Sequence, residues 1–276
     1  EETDQTTVAI YPHRTGKEMI SAPGYKQLRL IHQGLHNVIY SGVRNSDDLP
    51  VTLRQLRSEI ASPQLVTRYR QEFATLSNID SEFVVRAIEL IETSDTPILI
   101  TARPKGRSLQ ELIDERPMAI MEATSIGRLI SSAIEELHSF HIVHKDINPS
   151  NIIYDATSQT LKLIDFGISS SLQPSHIKPE VNRTLEGTIA YISPEQTGRM
   201  NRSVDFRSDF YSLGVTLYYL LTRQLPFDGA NNLELIYKHV AQTPLRPEEL
   251  NAKIPKALSK IILKLLAKMP EDRYQS

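Results

Sequence analysis

The chain has 276 residues, 40% of them hydrophobic and 23% charged, with a formal net charge of −2 and no cysteine. That length suits one large domain or two lobes. The near-neutral charge without a long basic run argues against a nucleic-acid partner. The lack of cysteine excludes disulfides and thiolate metal sites and fits a cytoplasmic location. No apolar run approaches the ~20 residues of a membrane helix, so no membrane insertion is expected in this segment.

Residues 1–22 are polar and aperiodic and read as an N-terminal tail or linker. From Tyr25 the pattern changes to short β-like runs over 27–31, 38–43 and 51–56, separated by turn formers such as Asn45-Ser46-Asp47-Asp48. Leu65, Tyr69, Phe73 and Leu76 have helical spacing, and strands are predicted over 84–91 and 98–101. After Gly106 the helical period dominates, with Ile126, Leu129, Ile130, Ala133, Ile134 and Leu137 on one stripe. A strand pair over 152–154 and 161–164 follows, then helices over 209–221, 233–241 and 256–268. No internal repeat or low-complexity segment is present.

The informative segment is His144-Lys145-Asp146-Ile147-Asn148-Pro149-Ser150-Asn151, followed fourteen residues later by Asp165-Phe166-Gly167. Phosphoryl transfer asks little covalent chemistry of a protein. It needs a carboxylate to orient and deprotonate the attacking hydroxyl, and hard oxygen ligands for Mg²⁺. Asp146 offers the first, and Asn151 with Asp165 offers the second. As isolated residues these could cap a turn and sit in an ordinary loop. As an ordered pair they resemble the catalytic and metal-binding loops of protein kinases. Ser193-Pro194-Glu195 resembles the end of the kinase activation segment, and Asp209 with Gly214 resembles the start of its buried long helix. Arg273 resembles the late arginine that pairs with the glutamate of that segment, here Glu195.

The resemblance is to eukaryotic-type Ser/Thr protein kinase domains and covers Tyr25 to Ser276. It implies an α+β, two-lobed fold with an antiparallel β-sheet N-lobe and a mainly helical C-lobe. The kinase domain would span residues 23–276, with the N-lobe over about 23–102, the hinge over about 102–106 and the C-lobe over about 107–276. It further implies ATP and Mg²⁺ as cofactors and a protein substrate bearing a Ser or Thr hydroxyl. Asp146 would be the catalytic base, with Asn148, Arg54 and Glu72 completing the catalytic set. Gly34, Ile39, Arg54, Thr101, Ala102, Asn151 and Asp165 would line the nucleotide, and Asn151 and Asp165 would ligate the metal. The stretch from Gly187 to Gly214 is similar to the kinase domain at the head of large signalling proteins that carry ATPase-like, GAF and histidine kinase modules. Further signalling domains in a longer chain are therefore expected, with the last kinase helix beyond Ser276.

Several positions depart from the family pattern. The phosphate-covering segment from Ile31 to Val38 keeps only Gly34 of three glycines, with His32 and Asn37 at the others. Arg54 stands in place of the third-strand lysine, and no lysine occurs between Gln27 and Pro104. Eighteen residues on, Glu72 is the expected partner. An arginine fork keeps the charge but differs in reach and shape from an ammonium, so it can misplace the phosphates. Lys145 replaces the usual arginine, and Asn148 replaces the lysine that steadies the transferred phosphate. Pro104 removes one hinge donor. His13, His32, His36, His138, His141, His176 and His239 lack metal spacing and read as surface or packing residues. Ser169-Ser170-Ser171 and Thr184 lie in the expected activation loop, where phosphorylation is one reading of them and a polar loop the other. Two alternatives to a working Ser/Thr kinase follow. One is a pseudokinase serving as a nucleotide-binding or regulatory module, and Arg54 discriminates it. The other is a small-molecule kinase of the aminoglycoside phosphotransferase type, which the Ser193-Pro194-Glu195 segment argues against.

Overall fold

The computed structural model describes residues 20–34, 36–92, 96–167, 169–171 and 188–276. The sequence readings on residues 1–19, His176 and Thr184 lie outside these. Strands β1 (Tyr25–Gln33), β2 (Asn37–Arg44), β3 (Pro50–Leu56), β4 (Ala87–Glu92) and β5 (Pro97–Ala102) form one antiparallel sheet in the order β1-β2-β3-β5-β4. Side chains alternate across a strand, and the alternation here sends two sets to two cores. Val51, Leu53, Ile98 and Ile100 pack with Ala22 in a small outer cluster. Leu56 and Leu99 face the main core instead. Arg54 has the parity of Leu56, so the strand aims it inward.

Helix α1 (Pro63–Ser77) lies against that inner face. Ser62 caps it by accepting from the Leu65 N–H at 3.3 Å, and Pro63 at its first position suits the fixed φ of a helix start. Its buried residues are Tyr69, Glu72 and Leu76, a stripe with a carboxylate in its middle. A buried charge at a core position marks a residue with a partner.

The C-lobe contains β6 (Arg107–Ser108), α2 (Leu109–Glu115), α3 (Ile120–Ser139), β7 (Ile142–Val143), β8 (Ile152–Asp155), β9 (Thr160–Leu163), β10 (Ser170–Ser171), α4 (Arg207–Thr222), α5 (Asn232–Ala241), α6 (Pro247–Leu250) and α7 (Lys256–Leu265). The predicted two-lobed α+β kinase fold is thus present. Helix α4 is buried along almost its whole length, from Ser208 to Leu221. Gly127 lets α3 cross it closely, since a Cβ there would meet Leu217 Cδ2 at 2.6 Å.

Most element boundaries shift from the sequence reading by one or two residues, and two shift by three. The strand expected from Val84 begins only at Ala87, because residues 83–85 pair with β9 instead. Leu163 N donates to Phe83 O at 2.7 Å, and Val85 N donates to Leu163 O at 3.1 Å. The helix expected to reach Lys268 ends at Leu265. The carbonyls of Ala267 and Lys268 turn instead to the guanidinium of Arg273.

Candidate active site

The catalytic loop is held from below by α4. Asp209 is fully buried, and its two carboxylate oxygens accept from the Lys145 N–H at 2.8 Å and the His144 N–H at 3.0 Å. Lys145 has φ 68° and Asp165 has φ 63°, both in the left-handed region. Each such residue costs on the order of 1–3 kcal/mol and persists only where its surroundings impose it. The Asp209 carboxylate is what imposes it at Lys145. His144 carries the constraint onward. Its Nδ1 accepts from the Asp146 N–H at 3.3 Å, its Nε2 meets the Ile164 carbonyl at 3.2 Å, and its ring packs 4.6 Å from Phe166.

Asp146 is fixed by three donors. Its Oδ1 accepts from Asn148 Nδ2 at 3.0 Å and from the Thr188 N–H at 3.0 Å. Its Oδ2 accepts from Asn151 Nδ2 at 2.9 Å. Four lone-pair sites on a carboxylate less three donors leave one, on Oδ2. Asn151 also donates to the Asp146 carbonyl at 3.0 Å, and its backbone carbonyl accepts from the Ile164 N–H at 3.0 Å. Both amide hydrogens of the Asn151 side chain therefore point at Asp146, and its Oδ1 is turned from them by the planarity of the amide. Asn148, 2% exposed, donates to Asp146 and to Thr188 Oγ1 and accepts from the Ser150 N–H.

Arg54 lies between two carboxylates. Its Nη2 pairs with Glu72 Oε2, and its Nη1 donates to Asp165 Oδ1 at 2.8 Å. Glu72, 3% exposed, also accepts from the Phe166 N–H at 3.0 Å. Helix α1 is thereby tied to the segment that carries Asp165. Burial pushes the Glu72 carboxyl up against the pull of Arg54. Burial likewise opposes ionisation of Asp165, but the Arg54 charge and the Gly167 N–H prevail and hold its carboxyl below the usual carboxylate range. For Arg54, the two carboxylates outweigh desolvation and keep the guanidinium protonated. Gly167 leaves room for the cluster: a Cβ there would lie 3.2 Å from Asp165 Oδ1 and 3.5 Å from Glu72 Oε2.

The remaining candidates sit around this core. Gly34 closes the turn between β1 and β2 by donating to the Asn37 carbonyl at 2.8 Å. Ile39 pairs across the sheet with Arg54, Thr101 with Thr52 and Ala102 with Val51. The Ala102 N–H donates to Arg86 O at 2.8 Å and the Arg103 N–H to Pro50 O at 2.9 Å. With Pro104 next, residues 102–104 of the expected hinge have no N–H left to offer. Among the described residues no three His, Cys, Asp or Glu side chains gather around a metal-sized space. The candidate metal pair is Asn151 with Asp165, whose side chain is 41% exposed. Sequence reasoning passed over Tyr69, His144 and Thr188. Tyr69 is read there only for its helical spacing with Leu65, Phe73 and Leu76, and its position three residues before Glu72 is its one signal.

A model of the protein kinase domain family matches residues 25–276. Serine/threonine-protein kinase PrkC of Bacillus subtilis (strain 168) is 34% identical over 255 residues, covering 91% of this chain and 38% of PrkC. PknB of Mycobacterium leprae (strain TN) is 33% identical over 232 residues, covering 82% of this chain and 37% of PknB. PknB of Mycobacterium tuberculosis (strain ATCC 25618 / H37Rv) is 32% identical, with the same coverage. The chain thus spans little more than a third of the length of these relatives. With a two-lobed fold, a family match across both lobes and these relatives, the chain belongs to the protein kinase domain family, as a domain of the Ser/Thr kinase type.

Proposed function

We propose that this domain transfers the γ-phosphoryl group of ATP to Ser and Thr hydroxyls of proteins, at a rate lowered by Arg54. The observation that carries the reading is the state of Asp146. Three donors fix its carboxylate, and Oδ2 keeps one lone pair for an incoming hydroxyl. From there it orients the hydroxyl and accepts its proton as the oxygen attacks phosphorus. Asn151, with its carbonyl oxygen turned from Asp146, and Asp165, with a part-exposed carboxylate, fit the hard-oxygen demand of Mg²⁺. When bound there, the ion supplies charge neutralisation on the nucleotide phosphates. Asn148 orients the base through its amide, because both Asp146 and Thr188 already hold its hydrogens.

The resemblance of residues 187–214 supports placing the domain in a longer signalling chain, with its protein substrates among the partners of that chain. The test is phosphate transfer from ATP, with Mg²⁺, to a Ser/Thr-containing acceptor protein. Asp146→Asn is expected to lower kcat by at least about a hundredfold while the fold persists by circular dichroism. Equal turnover in the variant, or none in the unmodified domain while nucleotide still binds, would remove Asp146 from this role.

A further inference from the structure

The Tyr69 hydroxyl and the Asn37 side chain have no part in the chemistry above, yet the fold joins them. Tyr69 is 5% exposed on the inner face of α1. Its hydroxyl donates to Asn37 Oδ1 at 2.5 Å, between residues 32 apart in sequence. Its ring carries the Arg54 guanidinium, whose Cζ lies 4.9 Å from the ring centroid. A cavity of about 160 Å³ opens beside them, lined in part by Asn37, Arg54, Tyr69, Glu72 and Asp165. Asn37 is the first residue of β2 and the last of the turn that Gly34 closes. One phenol therefore touches the turn at one end and the Arg54–Glu72–Asp165 cluster at the other.

We propose that Tyr69 is a positioning residue for the nucleotide. Its hydroxyl tethers the phosphate-covering turn to α1, and its ring backs Arg54, so the turn and the ion cluster shift together. The proposal rests on the reading of the domain as an ATP-dependent kinase. The physical reason is preorganisation. A turn held in place raises the fraction of molecules ready to bind, and apparent affinity scales with that fraction. Asn37 supplies the acceptor that a glycine at the same place would lack.

Tyr69→Phe removes the hydroxyl and keeps the ring under Arg54, whereas Asn37→Ala removes the acceptor together with the rest of its amide. Each is expected to raise KM for ATP about fivefold, the worth of one neutral hydrogen bond, with kcat changed by less than about twofold. The double variant should be no worse than either single one, because both remove the same bond. In the ligand-free protein, amide hydrogen exchange over residues 36–39 should quicken by a similar factor in all three. A tyrosine that served packing alone would lower the melting temperature without separating KM from kcat. Additive effects in the double variant, or unchanged exchange in Tyr69→Phe, would overturn the tether even with normal ATP turnover. Faster exchange in proteins that bind no nucleotide, the unmodified domain included, would overturn the kinase reading and the role of Tyr69 with it.

Discussion

Arg54 meets two carboxylates with two different nitrogens and rests on a ring, so three neighbours decide where its charge lies. A planar fork suits that arrangement, and an ammonium on a flexible stem does not reproduce it. One of the two carboxylates is Asp165, a candidate metal ligand, so the guanidinium and Mg²⁺ would draw on the same group. We expect Arg54→Lys to raise kcat for phosphotransfer about tenfold, because errors of placement near the reacting phosphate can cost about a hundredfold. The same change should cost about 1 kcal/mol of stability through the lost contact with Tyr69. Steady-state kinetics and thermal unfolding measure both. No gain in a variant that still binds ATP would locate the handicap elsewhere, with the phosphate-covering turn as the next candidate.

At the scale of elements, one side chain gathers three backbone carbonyls and a carboxylate. All five N–H donors of Arg273 are matched: Nε to Ala267 O, Nη1 to Glu195 Oε1 and Arg207 O, Nη2 to Glu195 Oε2 and Lys268 O. The pair with Glu195 is wholly buried, and Ser208 Oγ donates to Glu195 as well at 2.7 Å. A lysine brings three donors to five acceptors. Arg273→Lys is therefore expected to destabilise the domain by about 3 kcal/mol, and Arg273→Ala by about 3–5 kcal/mol, because a buried charge loses its partner. Chemical denaturation measures this, and a loss under about 1 kcal/mol in both would show that Glu195 finds other donors. The Glu195–Arg273 pair was legible in the sequence through the family resemblance, which supplies the late arginine as the partner of the Ser193-Pro194-Glu195 glutamate. The end of α7 was not, since apolar spacing continues to Lys268 while hydrogen bonding to Arg273 stops the helix at Leu265. The same limit applies in the active site. Asp146, Asn151 and Asp165 stand in a recognisable order, whereas the Tyr69–Asn37 contact depends on a turn meeting a helix, which no local pattern encodes.

Across the whole molecule, acid sensitivity has an identifiable source in the C-lobe. His239, on the inner face of α5, is fully buried, pairs with the Tyr211 hydroxyl at 3.0 Å and packs on Phe227. Burial, aided by the nearby Lys268 charge, pushes its pKa down to about 3. The unfolded chain takes up that proton near pH 6.5. Between those values the unfolded state binds more protons, so stability is full above about pH 6.5 and falls as the pH drops towards 3. The loss from this group is expected to reach about 2 kcal/mol at pH 5 relative to pH 7. Urea midpoints at the two pH values should converge in His239→Gln relative to the unmodified domain. An equal drop in both proteins would assign the acid sensitivity to other groups. The seating of the catalytic loop on Asp209 has a different consequence for the molecule as a whole. The half that holds Asp146, the proposed base, takes its coordinates from a helix inside the C-lobe, and the half that holds Arg54 and the turn between β1 and β2 takes them from a sheet in the N-lobe. The two halves can fail separately. The departures at Arg54 and Asn37 fall in the N-lobe half, whereas Asp146, the proposed base, keeps its aim through three donors of the C-lobe.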